Sequence, residues 1–142
     1  GFESVKDDFD KIFKEYANTA AGKLAKIEYA KISFEASKFD ESLKYYRSAL
    51  DSFKNQSYME NFILMALGQV NLAKGDIESA RSYFEKVNKG NTDILKDEAL
   101  FSLAMIEEKQ GNIDQSMVFY KKIISEYDNS IYLALAKSKV GE

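Results

Sequence analysis

The sequence contains no Cys, no His, no Pro and no Trp among its 142 residues. Without Cys there is neither a disulfide framework nor thiolate chemistry, and this leaves a reducing and an oxidising compartment equally open. Without His and Cys, the commonest general base and the commonest transition-metal ligands are missing. Without Pro, the turns depend on Gly, Asn, Asp and Ser. These absences argue against a catalytic site and against a metal site.

The charge and hydropathy pattern excludes further classes of protein. The formal net charge is −3, and the charged residues form no long run of one sign. A nucleic-acid backbone or an anionic membrane surface attracts basic patches, so neither is an expected partner of this segment. The longest apolar run, residues 62–67, is far shorter than the roughly 20 residues that span a bilayer. With 45% hydrophobic residues, the chain is nevertheless able to bury a core.

Motifs for nucleotide binding and acid–base catalysis are also missing. The sequence has no phosphate-binding G-x-x-x-x-G-K-[ST] loop and no G-x-G-x-x-G turn. Adjacent acids such as Glu107 and Glu108 point about 100° apart on a helix, so they do not share a site. The sequence therefore predicts no catalytic residue, no cofactor and no bound metal.

An internal repeat dominates what is present. The segment GDIESARSYF begins at Gly75, and GNIDQSMVFY begins 36 residues later at Gly111. An earlier copy, SKFDESLKYY, begins at Ser37. The segment FDKIFKEYANTAAGKLAK from Phe9 recurs as YKKIISEYDNSIYLALAK from Tyr120, which corresponds to three periods of 37 residues. A period of this length is typical of helical solenoids.

Each repeat contains two amphipathic helices. Apolar residues recur at three- and four-residue spacings, as at Leu100, Leu103 and Ala104, which is the helical period. Gly75 and Gly111 interrupt this pattern, and Asp76 and Asn112 after them are N-cap candidates for the next helix. The pattern predicts all-α structure, with helices near residues 3–16, 20–37, 40–54, 58–74, 77–89, 93–110, 113–127 and 130–140.

These helical pairs resemble tetratricopeptide (TPR) repeats over essentially the whole chain. The large-small pairs of the first helices are Tyr29-Ala30, Leu67-Gly68 and Leu103-Ala104. The second helices carry small residues, aromatic residues and a last packing residue in the family's order: Ser42, Ala80, Ser116; Tyr46, Phe84, Tyr120; Ala49, Val87, Ile123. The resemblance implies a right-handed α-solenoid of about three full repeats with a half repeat at each end. The corresponding segments are 1–19, a leading half repeat; 20–56, 57–91 and 92–129, the full repeats; and 130–142, a capping helix.

The sequence also departs from the TPR pattern. Ser33, Asn71 and Glu107 stand where the family usually has Tyr late in the first helix, and the repeat-ending Pro is absent. The long period and the phrases KEYANT and SEYDNS resemble the bacterial envelope branch of the family, which includes outer-membrane assembly lipoproteins and membrane-anchored translocon-associated proteins. This narrower resemblance implies a periplasmic domain held by an upstream anchor, with a cytoplasmic location as the alternative.

The TPR resemblance implies a non-catalytic scaffold or adaptor that binds another protein, such as an envelope protein, in its concave groove. A self-associating structural element of an envelope assembly is the alternative. The positions that face this groove in the family are Ile27, Lys31, Glu35, Met65, Gln69, Phe101, Met105 and Glu108. The Lys and Asn residues with which chaperone-binding TPR domains clamp a terminal carboxylate are missing. A groove containing Met and Phe suits a hydrophobic peptide or an amphipathic helix, although the same spacing is also typical of interior packing.

The two ends of the chain are expected to differ from the inner repeats. In the last helix, Ile131 and Leu135 are predicted to pack on the third repeat, and Tyr132 is a candidate exposed contact residue. The first helix, with Phe9 and Phe13, resembles the second helix of a repeat whose first helix would lie upstream. An upstream segment would then complete that repeat.

Overall fold

The computed structural model describes all 142 residues, which form eight α-helices and no β-strand. The helices are α1 (Phe2–Tyr16), α2 (Ala20–Glu35), α3 (Phe39–Ser52), α4 (Ser57–Lys74), α5 (Ile77–Asn88), α6 (Lys96–Lys109), α7 (Ile113–Glu126) and α8 (Leu133–Val140). The predicted all-α fold is confirmed, with each predicted helix present. None of the eight helices combines the length and the apolar character that a membrane span requires.

The turns explain where the helices begin and end. Gly75 and Gly111 have φ values of 91° and 82°, a left-handed conformation that glycine adopts without steric cost. The Asp76 side chain accepts a hydrogen bond from the Ser79 backbone N–H at 3.1 Å, so it caps α5 as predicted. Asn112 holds the equivalent position, but its side chain does not cap α7; its Nδ2 donates to Glu107 Oε2 at 2.8 Å.

Two helices begin about three residues later than predicted. Helix α6 begins at Lys96 because Leu95 has a left-handed φ of 63°, which interrupts the helical backbone. Helix α8 begins at Leu133, after a turn in which the Ser130 hydroxyl accepts from the Tyr132 backbone N–H at 3.0 Å.

The helices pack as successive hairpins. Helix pairs α2/α3, α4/α5 and α6/α7 pack most extensively, and each helix packs mainly on its neighbours in sequence. Small residues bring the paired helices together: Ser42 Oγ donates to the backbone oxygen of Ala30 at 2.7 Å, and Gly68 lies against the Phe84 ring. This architecture is a solenoid of helical hairpins.

Three buried clusters form the core, one at each junction from the α2/α3 hairpin to α8. The first joins the α2/α3 hairpin to α4, the second joins α4/α5 to α6, and the third joins α6/α7 to α8. The packing residues predicted for the second helices are all buried: Ser42, Tyr46, Ala49, Ala80, Phe84, Val87, Ser116, Tyr120 and Ile123. The repeat pattern therefore identified the positions that stabilise the array.

The three departures from the TPR pattern are buried polar residues with internal partners. Ser33 Oγ donates to the Tyr29 backbone oxygen at 2.8 Å, and Asn71 Nδ2 donates to the Leu67 backbone oxygen at 2.8 Å. Glu107 forms a salt bridge with Arg81 of α5. Since buried polar groups are costly unless they are hydrogen-bonded, these partners explain how the replacements are accommodated.

The amino-terminal helix covers the first hairpin with aromatic side chains. The Phe9 and Phe13 rings lie 5.3 Å and 5.8 Å from the Tyr29 ring, measured between centroids, and Phe13 also stacks on Tyr45 at 5.0 Å. Gly22 permits the close approach of α1 and α2, because a Cβ there would lie 1.9 Å from the backbone oxygen of Tyr16. Helix α1 thus packs on α2 as a half repeat.

The carboxyl-terminal helix packs through a different face from the one predicted. Ala136 is fully buried, whereas Ile131 and Leu135 are 84% and 52% exposed, so the prediction that these two pack on the third repeat is wrong. Because α8 begins only at Leu133, Ile131 lies outside the helix and the buried face centres on Ala136. Tyr132, predicted as an exposed contact, stacks on Phe101 with 4.7 Å between ring centroids.

Candidate protein-binding groove

A partly open cavity of about 610 Å³ lies between α4, α6 and the start of α8. We call it the α4/α6/α8 groove. Its apolar lining residues are Leu72, Ile77, Phe101, Met105, Ile106 and Tyr132, and its polar ones are Gln69, Glu98, Ser102, Lys109 and Gln110. A mainly apolar concavity with a few polar groups is the usual form of a binding site.

Three of the predicted groove residues meet in this cavity, namely Gln69, Phe101 and Met105. Successive turns of α6 place Phe101 and Met105 on the same face of the helix, and Gln69 comes from the preceding first helix α4. Tyr132, from the segment before α8, stacks on the Phe101 ring. The second and third repeats and α8 therefore build the groove together.

Met65 belongs to the core rather than to the groove surface. Its side chain is only 4% exposed and lies in the buried cluster that contains Phe84, Ala99 and Leu103. The reason is that α6 of the next repeat packs over this turn of α4. For Met65, interior packing, the alternative interpretation of the sequence, is what the structure shows.

The remaining predicted residues lie outside the cavity. Ile27 is half-buried against the first core cluster, while Lys31 and Glu35 are exposed on α2. Glu108 is engaged within the chain: its Oε2 accepts from the Tyr120 hydroxyl at 2.7 Å, and its Oε1 accepts from Lys139 Nζ at 2.8 Å. Lys139 and then Tyr120 hold the pKa of Glu108 below its usual value. Glu108 thus ties α6 to α7 and α8.

The sequence prediction missed Glu98, a half-buried acid at the amino end of α6. Burial, and then the neighbouring charge of Asp97, raises the pKa of the Glu98 carboxyl. Lys109 lines the same groove eleven residues further along α6, about 16 Å away at 1.5 Å per residue. The repeat alignment contained a signal for Glu98. At the 36-residue offset it is equivalent to Phe62 of α4, so an acid stands where the preceding repeat has an apolar residue.

The groove offers apolar contact and two opposite charges. No group of three or more Asp, Glu, His or Cys residues is arranged to hold a metal ion. The hydroxyl of Tyr120 lies beside the groove residue Met105, 3.5 Å from its Sδ, but it donates to Glu108 at the shorter distance of 2.7 Å. The arrangement is suited to holding apolar side chains between an acidic and a basic end.

Comparison with known protein families identifies the repeats directly. Residues 63–89 and residues 98–130 each match a family model described as tetratricopeptide repeat. These segments cover most of the α4/α5 and α6/α7 hairpins, so each of these two hairpins matches a tetratricopeptide repeat. A search of curated proteins finds no match to the chain. Tetratricopeptide repeats generally mediate protein–protein interactions, and the proteins that contain them are typically non-catalytic scaffolds.

Proposed function

We propose that this protein is a non-catalytic scaffold or adaptor that binds a peptide or helix of a partner protein in the α4/α6/α8 groove. The observation that carries the proposal is the groove lining, where Phe101, Met105 and Tyr132 meet in one cavity. Burying apolar side chains of a partner there removes apolar surface from water on both molecules. The flexible, polarisable Met105 side chain adapts to irregular partner surfaces.

The two charged groups give the groove a direction. Glu98 lies at the amino end of α6 and Lys109 at its carboxyl end, so a bound segment meets an acid at one end and a base at the other. A few well-placed polar groups in an apolar site fix the orientation of a ligand more than they add affinity. The proposed groove therefore selects both the apolar content and the polarity of its partner.

The test is partner capture with a groove variant and a matched surface variant. Met105→Glu places a charge inside the groove, and Val118→Glu places the same charge on an exposed position of α7 outside it. We expect the parent and Val118→Glu to retain the same partner protein. Once purified, this partner should bind Met105→Glu at least about tenfold more weakly than it binds the parent. Equal binding by all three proteins, with unchanged helicity, would reject the groove. Met65→Glu is unsuitable because Met65 is buried.

We also propose that the scaffold acts in a bacterial cell envelope, on its periplasmic side, with the cytoplasm as the alternative. The support is the 36- to 38-residue period together with the phrases KEYANT and SEYDNS. Fractionation of the source cells tests it: the protein should accompany periplasmic or membrane markers after gentle lysis of the outer envelope. Its release only with cytoplasmic markers would reject this location.

A further inference from the structure

The exposed apolar side chains follow the repeat period. Nine large hydrophobic residues have at least 36% of their surface exposed, and six of them fall at two equivalent positions near the amino ends of the first helices. These six residues, which we call the amino-end stripe, are Leu24, Tyr58, Phe62, Ile94, Ile131 and Leu135. Their equivalents recur at offsets of 38, 36 and 37 residues from one unit to the next. Such a periodic exposure is not the scattered pattern of ordinary surface residues.

Hydrogen bonds join the neighbouring units of the stripe from α4 to α8. Asn61 Nδ2 donates to the backbone oxygen of Ile94 at 2.7 Å, which joins α4 to the segment before α6. Ser130 Oγ donates to Asp97 Oδ2 at 2.5 Å, which joins α6 in the same way to the segment before α8. Asn61 and Asp97 are equivalent residues. Each hydrogen bond therefore joins the two chain segments that carry the stripe in successive units.

One equivalent position carries an acid instead of an apolar residue. Leu24, Phe62 and Leu135 occupy this position in the other units, and Glu98 occupies it in α6. Glu98 is half-buried, and no lysine or arginine nitrogen lies within salt-bridge distance of its carboxylate. A cation supplied by a binding partner would compensate both its partial burial and the repulsion from Asp97.

The dimensions of the stripe match those of an α-helix. In α4 the two rows are represented by Tyr58 and Phe62, which lie four residues apart along the helix, about 6 Å, so with their side chains they form a surface about as wide as one helix. Packed helices lie about 8–10 Å apart, and a partner helix rises about 10.5 Å in seven residues. A partner helix of about 22 residues would thus meet each of the four units once, every two turns.

We propose that the amino-end stripe binds one amphipathic helix of a partner protein, whose apolar residues recur every seven residues and whose Lys or Arg side chain pairs with Glu98. The inference rests on the proposed function, since it names the shape and charge of a protein partner and includes one residue of the groove. The negative net charge of the chain and the acid within the stripe favour this occupant over an anionic membrane surface.

The experiment is selection from a displayed library of helical peptides of about 22 residues, with apolar residues fixed every seven positions and the intervening positions randomised. The intact parent chain is the bait, beside Glu98→Leu, Phe62→Ser and the control Val118→Glu. We expect the parent and the control to enrich peptides with Lys or Arg at one particular randomised position. Glu98→Leu should enrich an apolar residue there, and Phe62→Ser should bind the parent's peptides at least about tenfold more weakly.

Several results would overturn the inference. These are enrichment without a preferred basic position, a preference unchanged in Glu98→Leu, or full retention of peptides by Phe62→Ser with unchanged helicity. Binding to anionic phospholipid vesicles that Phe62→Ser abolishes would assign the stripe to a membrane, and a concentration-dependent dimer that Phe62→Ser dissociates would assign it to a second copy. Capture that depends on Met105 but not on Phe62 or Glu98 would reject the stripe and leave the proposed groove standing.

Discussion

The ring of Phe84 on α5 lies directly over Gly68 on α4, so closely that a Cβ atom on Gly68 would stand 2.2 Å from Cε1 of Phe84. Real Cβ atoms do not approach a neighbour so closely, and Phe84 is fully buried with little room to move. This contact sets the spacing of the second hairpin. It also explains, in steric terms, why the second residue of the large-small pair Leu67-Gly68 is small.

Gly68→Ala should destabilise the protein although alanine is the better helix former. The gain in helix propensity is about 1 kcal/mol, and overpacking a tight core typically costs about 1–3 kcal/mol, so we expect a net loss of up to about 2 kcal/mol. Urea unfolding followed by circular dichroism measures it. The double variant Gly68→Ala, Phe84→Leu should lose less stability than the sum of the losses in the two single variants. A Gly68→Ala protein more stable than the parent would contradict this steric account.

The pair Arg81–Glu107 should couple the second repeat to the third. Glu107 is buried and accepts from both Arg81 and Asn112, so Glu107→Ala leaves the partly buried Arg81 guanidinium without its main partner. Removing one member of a buried pair typically costs about 3–5 kcal/mol, and the contacts of Arg81 with Gln110 and Glu78 reduce this to about 2–3 kcal/mol. The double variant Arg81→Met, Glu107→Leu should recover most of the lost free energy of unfolding, as measured by denaturant unfolding. If Glu107→Ala alone is neutral, the pair does not stabilise the junction.

Lys139 should contribute stability only while Glu108 is ionised. Because the folded-state pKa of Glu108 is lowered, chiefly by Lys139, this contribution is present above the ordinary carboxyl value of 4.5 and is lost as the pH falls through the lowered pKa. Lys139→Gln should therefore cost less than about 1 kcal/mol at neutral pH and nothing in strong acid. Lys137→Gln is the matched control, since Lys137 is exposed and forms no salt bridge. A pH-independent difference would contradict the assignment.

Glu98→Gln should raise the melting temperature slightly at neutral pH. The pKa of Glu98 is raised by burial and by Asp97, so its charge opposes folding. Stability is therefore higher below the ordinary carboxyl pKa and falls as the pH rises through the raised value. The stability of Glu98→Gln should not fall in this way, because the variant has no charge at this position. Its stability should equal that of the parent only in acid. A variant that melts lower than the parent across the pH range would show that Glu98 stabilises the first turn of α6 instead.

Much of the fold followed from local periodicity. The packing positions at Ala30, Gly68 and Ala104 could be read from the repeat because close helix approach demands small residues at a fixed place in every unit. The helix ends at Gly75 and Gly111 could also be predicted, since a left-handed backbone conformation there favours glycine. These features depend on a few neighbouring residues only.

The groove was only partly predictable because it depends on how successive repeats rotate against one another. Met65 and Phe101 are equivalent in sequence, yet α6 covers the first and leaves the second beside the cavity. The late start of α8, which no periodic signal marks, decides that Ala136 is buried and Ile131 is exposed. Tertiary packing, rather than helix propensity, sets these outcomes.

The packing of each helix mainly on its sequence neighbours has a kinetic consequence. Few long loops must close during folding, so we expect the chain to fold rapidly and to open from its ends, with the amides of α1 and α8 exchanging before those of α4 and α5. A partner lying across α4, α6 and α8 would join these separately opening units into one. The residence time of such a partner would then be limited by how often the outermost helix detaches.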